Sequence, residues 1–397
     1  MKNNKNLIIP IAFIGMMFFA IGFALGINSF LIPVLNKTLE ISSGQSYLIL
    51  AATFSTFIIF GYPASRTIAA IGYKKTMALS FVLFAFAFLL FIPSAKYENF
   101  TLFLVASFMS GIGNTFLQAS VNPYITILGP MESAAKRMSI MGICNKLAWP
   151  VSPIFLAFVI GKNTDDTVIS DLFLPFYIII GVFLLLGVIS LLAPLPEVKA
   201  AGEDEEEDTT DSGKSIFDFP HLLLGALALF FYVGVETVAL GTLVDYASWL
   251  GLPNASSYAL ISPIGMVVGY ICGILFIPKY ISQSNALIIC SILGIVGSIL
   301  VVLTPPDLSI WFIALVALGC SLMWPALWPL AISDLGKFTK TGSSFLVMAI
   351  AGGAVIPVIY GFTKDVVGAQ SSYWIAPPLF IYILYYGLKG HKIRKAR

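Results

Sequence analysis

The chain of 397 residues is too apolar to be a water-soluble globular protein. Hydrophobic residues make up 58% of the sequence, charged residues make up 11%, and the mean hydropathy is +0.93. Soluble globular chains have an apolar share of about 45–50%. The composition therefore predicts an integral membrane protein whose surroundings are the lipid bilayer. The formal net charge of +2 is too small to indicate nucleic acid as a partner.

Cysteine and histidine are too few and too scattered to build a metal site or a disulfide framework. The four cysteines fall inside apolar stretches without a paired spacing, and the two histidines lie at a segment boundary and in the tail: Cys144, Cys272, Cys290, Cys320, His221 and His391. We also find neither a GxSxG nor a HExxH motif, so we expect neither an enzyme nor a cofactor.

Twelve apolar segments follow one another along the chain. Each has roughly 19–30 residues, which is long enough to cross a hydrocarbon core of about 30 Å as an α-helix. The fold class predicted is therefore an all-α membrane protein with twelve transmembrane helices. The spans are placed near 8–35, 46–71, 76–94, 99–129, 138–161, 172–194, 219–248, 255–279, 284–304, 309–334, 342–367 and 371–389.

Lys and Arg in the loops predict the orientation of these segments. Most of them fall in loops on the same side as the N-terminus, and short cytoplasmic loops are the ones enriched in Lys and Arg. The chain is thus expected to be a multi-pass protein of the cytoplasmic (inner) membrane with both termini in the cytoplasm. The few basic residues assigned to the other side are Lys37, Lys96, Lys162 and Lys364.

One long polar connection divides the chain into two halves. Residues 195–217 contain six consecutive acidic residues, from Glu203 to Asp208, followed by Thr, Ser and Gly. Such a composition is typical of a solvated linker without chemistry of its own. We therefore predict an N-terminal six-helix bundle (1–194), an acidic cytoplasmic linker (195–217) and a C-terminal six-helix bundle (218–397).

The two halves show short internal matches. Residues 18–24 of segment 1 match residues 230–236 of segment 7 at an offset of 212, and segment 4 matches segment 10 at an offset of 206. The second match places Gln118 and Asn122 on Trp324 and Trp328. Repeated halves that meet at a site in the middle of the membrane are typical of secondary transporters.

Segment 4 carries two polar amides on one face. Gln118 and Asn122 are four residues apart and so lie on the same side of a helix. An amide is costly in lipid, so both should point into the protein or into a wet cavity. Hydrogen bonds between neighbouring helices are the alternative interpretation.

The matched positions would suit a sugar. Its hydroxyls need amide or carboxylate partners, and its C–H face stacks on aromatic rings. Gln118 and Asn122 would supply hydrogen bonds, Asn28 of segment 1 is a third amide candidate, and Trp324 and Trp328 would supply the stacking surface. Ordinary packing remains the alternative for the two tryptophans, and an interhelical hydrogen bond remains the alternative for Asn28.

Two charged residues lie deep in apolar segments. Lys146 in segment 5 and Glu236 in segment 7 are each a functional candidate, because an ion within the membrane normally faces a cavity or a partner. Glu236 would bind substrate hydroxyls, carry a proton or help to hold Na⁺, whereas Lys146 could also extend to the inner surface. Their neighbours complete the candidate binding residues: Asn145, Trp149 and Tyr232. Asp245, nearer the outer end of segment 7, is a weaker candidate for a gate or for ion coupling, or else a surface residue.

Several stretches of the chain resemble one transporter family. They are NPYITILGP (122–130), ESAAKR (132–137) and SIMGICNK (139–146), together with residues 31–33, 232–234, 277–282, 346–350 and 352–354. In these stretches the chain is similar to the fucose:proton symporter family of the major facilitator superfamily, and within it to the bacterial glucose/galactose transporter branch. The resemblance covers nearly the whole chain.

The resemblance implies two pseudo-symmetric six-helix bundles, a central hexose cavity and alternating access driven by an ion gradient. We therefore expect a monomeric secondary transporter of a hexose-type sugar, coupled to Na⁺ or H⁺ as a symporter. An exporter or facilitator of sugars or drugs without ion coupling is the alternative. This chain has Ser29 and Gln118 where the fucose carriers have an Asp and a Glu. Their proton mechanism therefore does not transfer directly.

Overall fold

The computed structural model of the chain describes residues 7–128, 134–162, 166–196, 215–277, 279–333, 335 and 339–393. The secondary structure of these residues is helical, with short connections. This follows from the sequence, because a chain in lipid must satisfy its backbone hydrogen bonds within each spanning segment. Most of the predicted linker, residues 197–214, lies outside the described part of the chain.

Six helices form the N-terminal half. The run that contains α2 and α3 is interrupted only at Gly72, whose φ of 82° is accessible to glycine at low cost. A short helix, Ser43–Ser46, precedes α2. The helices are α1 (Ile8–Leu39), α2 and α3 (together Leu48–Lys96), α4 (Phe100–Ile127), α5 (Ala134–Ile160) and α6 (Phe173–Leu192).

The C-terminal half contains the other six helices, and three of them are broken. The helices are α7 (Pro220–Gly241, continued by Leu243–Trp249), α8 (Ile261–Phe276), α9 (Gln283–Leu303), α10 (Pro306–Ser321, continued by Met323–Ile332), α11 (Thr339–Ala349, continued by Gly352–Val367) and α12 (Ala376–Leu388).

Eleven of the described helices are long and apolar enough to cross a membrane. The twelfth predicted span, residues 371–389, contains Ala376–Leu388 preceded by two short helices. The predicted all-helical class with twelve spans is thus confirmed. We call the end of the bundle that carries the α1–α2 and α7–α8 connections the outer end, following the predicted orientation.

The surface of the bundle is apolar where lipid would surround it. Large hydrophobic side chains are strongly exposed on several helices, which a soluble protein would avoid on this scale. The most exposed include Phe158, Val366 and Leu192 at 86%, 84% and 78%. Inside the N-terminal half, phenylalanines of α3 and α6 form an aromatic core in which Phe84 stacks on Phe183 at 5.0 Å.

The internal match between the halves has a counterpart in the packing. Gly22 of α1 lies so close to α5 that a Cβ would collide with the backbone oxygen of Asn145. Its partner in the match, Gly234 of α7, lies equally close to Ile356 and Gly352 of α11. Glycine at each position thus permits the same helix pair, first with fifth, to approach closely in each half.

Candidate substrate cavity

The two halves meet around a central cavity of about 90 Å³. Its walls come from α1, α2, α4 and α5 of the N-terminal half and from α7, α8, α10 and α11 of the C-terminal half. Ligand pockets usually have about 300–1,000 Å³, so the cavity is contracted in this conformation. The helices would have to separate before a hexose could enter.

An ion pair bridges the cavity from one half to the other. Lys146 Nζ of α5 lies 3.0 Å from Glu236 Oε1 of α7, and the two side chains are only 10% and 11% exposed. The hydroxyl of Tyr232, one helical turn before Glu236, donates to the same carboxylate oxygen at 2.7 Å. The sequence identified both charges without showing that they meet. They face the same cavity and neutralise each other there.

Three of the four predicted amide residues, Gln118, Asn122 and Asn145, contribute to the lining of the cavity. Gln118 Nε2 donates to Asn114 Oδ1 at 3.0 Å, which fixes the Gln118 side chain along α4. Asn145 Nδ2 donates to the backbone oxygen of Phe18 at 3.1 Å, across the close contact between α1 and α5. Asn122 lies on the same face of α4 as Gln118. One wall of the cavity thus carries the amide groups.

Aromatic side chains supply much of the remaining wall. Trp149, Tyr232 and Trp324, three of the candidate binding residues, line the cavity. The Lys146 ammonium lies 5.8 Å from the Trp149 ring, a cation–π geometry. The buried Nε1 of Trp149 has no hydrogen-bond partner among the described residues. Trp328 does not belong to the lining and stacks on Trp324 at 5.3 Å.

Two further candidates lie outside the cavity. Asn28 is fully buried and donates from Nδ2 to Thr53 Oγ1 at 2.9 Å, which is the interhelical bond given as its alternative. Asp245 is also buried, so the alternative of a surface position is wrong. Its carboxylate accepts from Lys364 Nζ and from the Tyr47 hydroxyl, each at 2.6 Å. This places Asp245 near the outer end rather than in the cavity.

The structure also adds residues that sequence reasoning missed. Tyr270 of α8 reaches the cavity beside Gly142 of α5, where a Cβ would collide with the Tyr270 ring. Thr237, the residue after Glu236, lines the cavity as well. Tyr270 follows Gly269 in a run of glycines spaced four residues apart on α8: Gly265, Gly269 and Gly273. This spacing is typical of close helix packing, but it gives no sign that the adjacent tyrosine faces the other half.

Comparison with known proteins agrees with this architecture. The family model of the Major Facilitator Superfamily matches residues 12–359. The chain belongs to the Major Facilitator Superfamily. A glucose/galactose transporter of Brucella abortus is 31% identical over 98% of this chain and 96% of its own length. An L-fucose-proton symporter of Escherichia coli is 23% identical over 96% of this chain and 93% of its own.

Solved structures of the superfamily share the fold. The crystal structure of the Escherichia coli fucose:proton symporter superposes with a TM-score of 0.75 at 23% identity, covering 97% of this chain and 99% of the other. An inward-facing bacterial homologue of the human lysosomal transporter Spinster gives a TM-score of 0.70 at 13% identity, with 96% of each chain covered. The predicted resemblance is confirmed, and the superfamily's members are transporters rather than enzymes.

Proposed function

We propose that this protein is a secondary active transporter that moves a hexose-type sugar across the cytoplasmic membrane in symport with Na⁺ or H⁺. It would act as a monomer with both termini in the cytoplasm and work by alternating access. The assignment of sugar as the substrate draws on the functions of the relatives named above together with the chemistry of the cavity.

The observation that carries the proposal is the composition of the cavity. Its amides, Gln118, Asn122 and Asn145, offer both donors and acceptors to hydroxyl groups. The rings of Trp149 and Trp324 offer flat apolar surfaces for the C–H face of a pyranose. The charges of Lys146 and Glu236 cancel within hydrogen-bond distance, so the cavity has no excess charge that would favour an ionic substrate.

The ion pair between Lys146 and Glu236 supports the coupling part of the proposal. It connects the two halves across the cavity, so it must break when the halves separate. A proton or Na⁺ on the Glu236 carboxylate would weaken its hold on Lys146, and sugar hydroxyls could then accept from the released ammonium. Cation and sugar together would thus compensate the separated charges better than either one alone. We infer that Glu236 carries the coupling cation.

Transport by the purified protein in proteoliposomes tests the proposal. Labelled D-glucose, D-galactose and L-fucose would be offered with an imposed Na⁺ gradient, with an imposed pH gradient, and without a gradient. We expect saturable uptake of at least one hexose, exchange of that sugar in counterflow, and accumulation with one of the two gradients. Absence of uptake and counterflow for every hexose would overturn the proposal.

The same experiment separates symport from the alternative mechanism. A facilitator would equilibrate the sugar and show counterflow, but neither cation gradient would drive accumulation. An exporter without ion coupling would likewise show no accumulation with either gradient. The sugar specificity and the coupling ion follow from the same set of measurements.

A further inference from the structure

The outer end of the molecule holds a buried ion pair that is separate from the cavity. Asp245 lies in the outer segment of α7, Leu243–Trp249, and Lys364 lies in the outer segment of α11, Gly352–Val367. Their side chains are 8% and 6% exposed and approach to 2.6 Å. A buried charge is strongly destabilising without its partner, so the pair holds the two outer segments together.

This pair of segments contacts the N-terminal half through polar groups at two points. The hydroxyl of Tyr47, just before α2, donates to Asp245 Oδ2 at 2.6 Å. The Asp365 carboxylate accepts from the backbone N–H groups of Ser43 and Gly44, with 2.9 Å to each oxygen. Lys364 therefore bonds within the C-terminal half, and the next residue bonds across to the other half.

Glycine allows the two surfaces to approach closely between these points. A Cβ on Gly361 would collide with the Tyr47 ring, and a Cβ on Gly44 would collide with the Phe362 ring. Tyr47 also packs edge-on against Tyr360, with ring centroids 5.8 Å apart. The contact closes the outer end above the cavity.

Each outer segment joins its helix through a break next to the cavity. In α7 the break is Thr242, with φ −107° and ψ 0°, five residues beyond the lining residue Thr237. In α11 it is at Ile350 and Ala351, where the backbone bonds to residues three positions back instead of four. Ile350 itself lines the cavity. Such breaks are where helices in transporters and enzymes bend.

We propose that the outer segments of α7 and α11 are the outer gate of the transport path. The Asp245–Lys364 ion pair joins them into one moving unit, and Tyr47 and Asp365 latch that unit onto the N-terminal half. The inference rests on the proposed alternating-access transport. It adds which elements close the outer end and which bonds must break for that end to open.

The two sets of contacts differ in what it costs to break them. Asp365 is exposed, so water can replace the two backbone N–H groups when the halves separate, at little net cost. The Tyr47 bond is buried, but it is a single hydrogen bond from a neutral hydroxyl, and Asp245 keeps Lys364 as its partner when that bond breaks. The Asp245–Lys364 pair is buried, and separating its charges would be far more costly. The latch therefore opens while the gate unit stays intact.

Cysteine labelling from outside tests the gate. The four native cysteines would be replaced by serine, and Val233→Cys would place one thiol in the cavity lining. Labelling by a membrane-impermeant maleimide would be measured in right-side-out and inside-out vesicles. Tyr47→Phe removes one hydroxyl and keeps the ring. Asp365→Asn removes the charge and one acceptor oxygen.

We expect each variant to raise the labelling rate in right-side-out vesicles by about threefold to tenfold, since each loses a hydrogen bond of the closed state. The double variant, Tyr47→Phe with Asp365→Asn, should be labelled faster than either single variant. Asp307→Asn is the matched control, because Asp307 is an exposed carboxylate in the first turn of α10 and no described bond joins it to the N-terminal half. It should leave the rate unchanged.

Unchanged labelling in the double variant would overturn the proposal, as would an equal increase in Asp307→Asn or an increase confined to inside-out vesicles. If Asp365→Asn fails to accumulate in the membrane, Tyr47→Phe decides the question, since it removes a single oxygen atom. The readout needs no sugar. A negative result in transport and a negative result for the gate can therefore be told apart.

Discussion

Lys146 and Glu236 show at the scale of single residues why a membrane protein retains charge in its core. Each would be costly alone, and their contact at 3.0 Å makes the pair tolerable without making it strongly stabilising. A buried pair of this kind is easily disturbed by anything that changes the charge of one partner. The hydrogen bond from Tyr232 holds the Glu236 carboxylate in place when the charge of its partner changes.

Glu236→Gln is the substitution that separates coupling from binding. We expect it to abolish gradient-driven accumulation and to spare counterflow, because an amide can still bond sugar hydroxyls but cannot carry a coupling cation. Both are measured in proteoliposomes, with Asp307→Asn as the exposed control. Loss of counterflow as well would show that Glu236 mainly binds the sugar or maintains the fold.

Removal of the cavity amides should weaken sugar binding. We expect Gln118→Ala and Asn122→Ala each to raise the transport KM about tenfold, since one hydrogen bond contributes about 0.5–1.5 kcal/mol and about 1.4 kcal/mol corresponds to a factor of ten. Asn28→Ala is the comparison, because Asn28 bonds to Thr53 outside the cavity. It should lower thermal stability and leave KM unchanged. Equal KM in all three variants would assign the α4 amides to packing.

Glycine decides which elements can pack closely at the scale of helices. Gly22 and Gly234 allow α1 to contact α5 and α7 to contact α11 at the level of the cavity. Gly22 brings the Asn145 backbone against α1, and Asn145 bonds to Phe18 there. The position of Asn145 in the cavity wall is thus set by a glycine on another helix.

A methyl group at either close contact should separate the helices. We expect Gly22→Ala and Gly234→Ala each to cost about 1–3 kcal/mol through overpacking, measured as a lower melting temperature of the detergent-solubilised protein. Gly181→Ala in α6 is the matched control, because nothing lies within 4 Å of its added Cβ. Since Ala is the better helix former, Gly181→Ala should not lower the melting temperature. A similar decrease in all three would mean that the close contacts are not responsible.

At the scale of the whole molecule, the two halves pack the same pair of helices closely, but they differ in whether their helices are continuous or broken. Breaks divide α7, α10 and α11 of the C-terminal half, while α1, α4, α5 and α6 of the other half run uninterrupted where described. Continuous helices in one half opposite broken helices in the other favour a transporter in which the C-terminal half provides the moving parts of the gate. The boundaries at residues 194 and 218 remain predictions.

The sequence by itself determined the class, the number of spans and the family. These depend on local properties, since apolar length sets a membrane span and contiguous motifs carry a resemblance. It also identified Lys146 and Glu236, because a charge in an apolar segment stands out wherever it points.

Only the tertiary structure decided which of these residues meet. It paired Lys146 with Glu236, placed Asn28 and Trp328 outside the cavity, and brought Asp245 to Lys364, which lies 119 positions further along the chain. Such pairings depend on helix rotation and crossing. A polar side chain that is buried in the protein needs a hydrogen-bond partner. The residues next to it in the sequence do not predict which helix provides that partner.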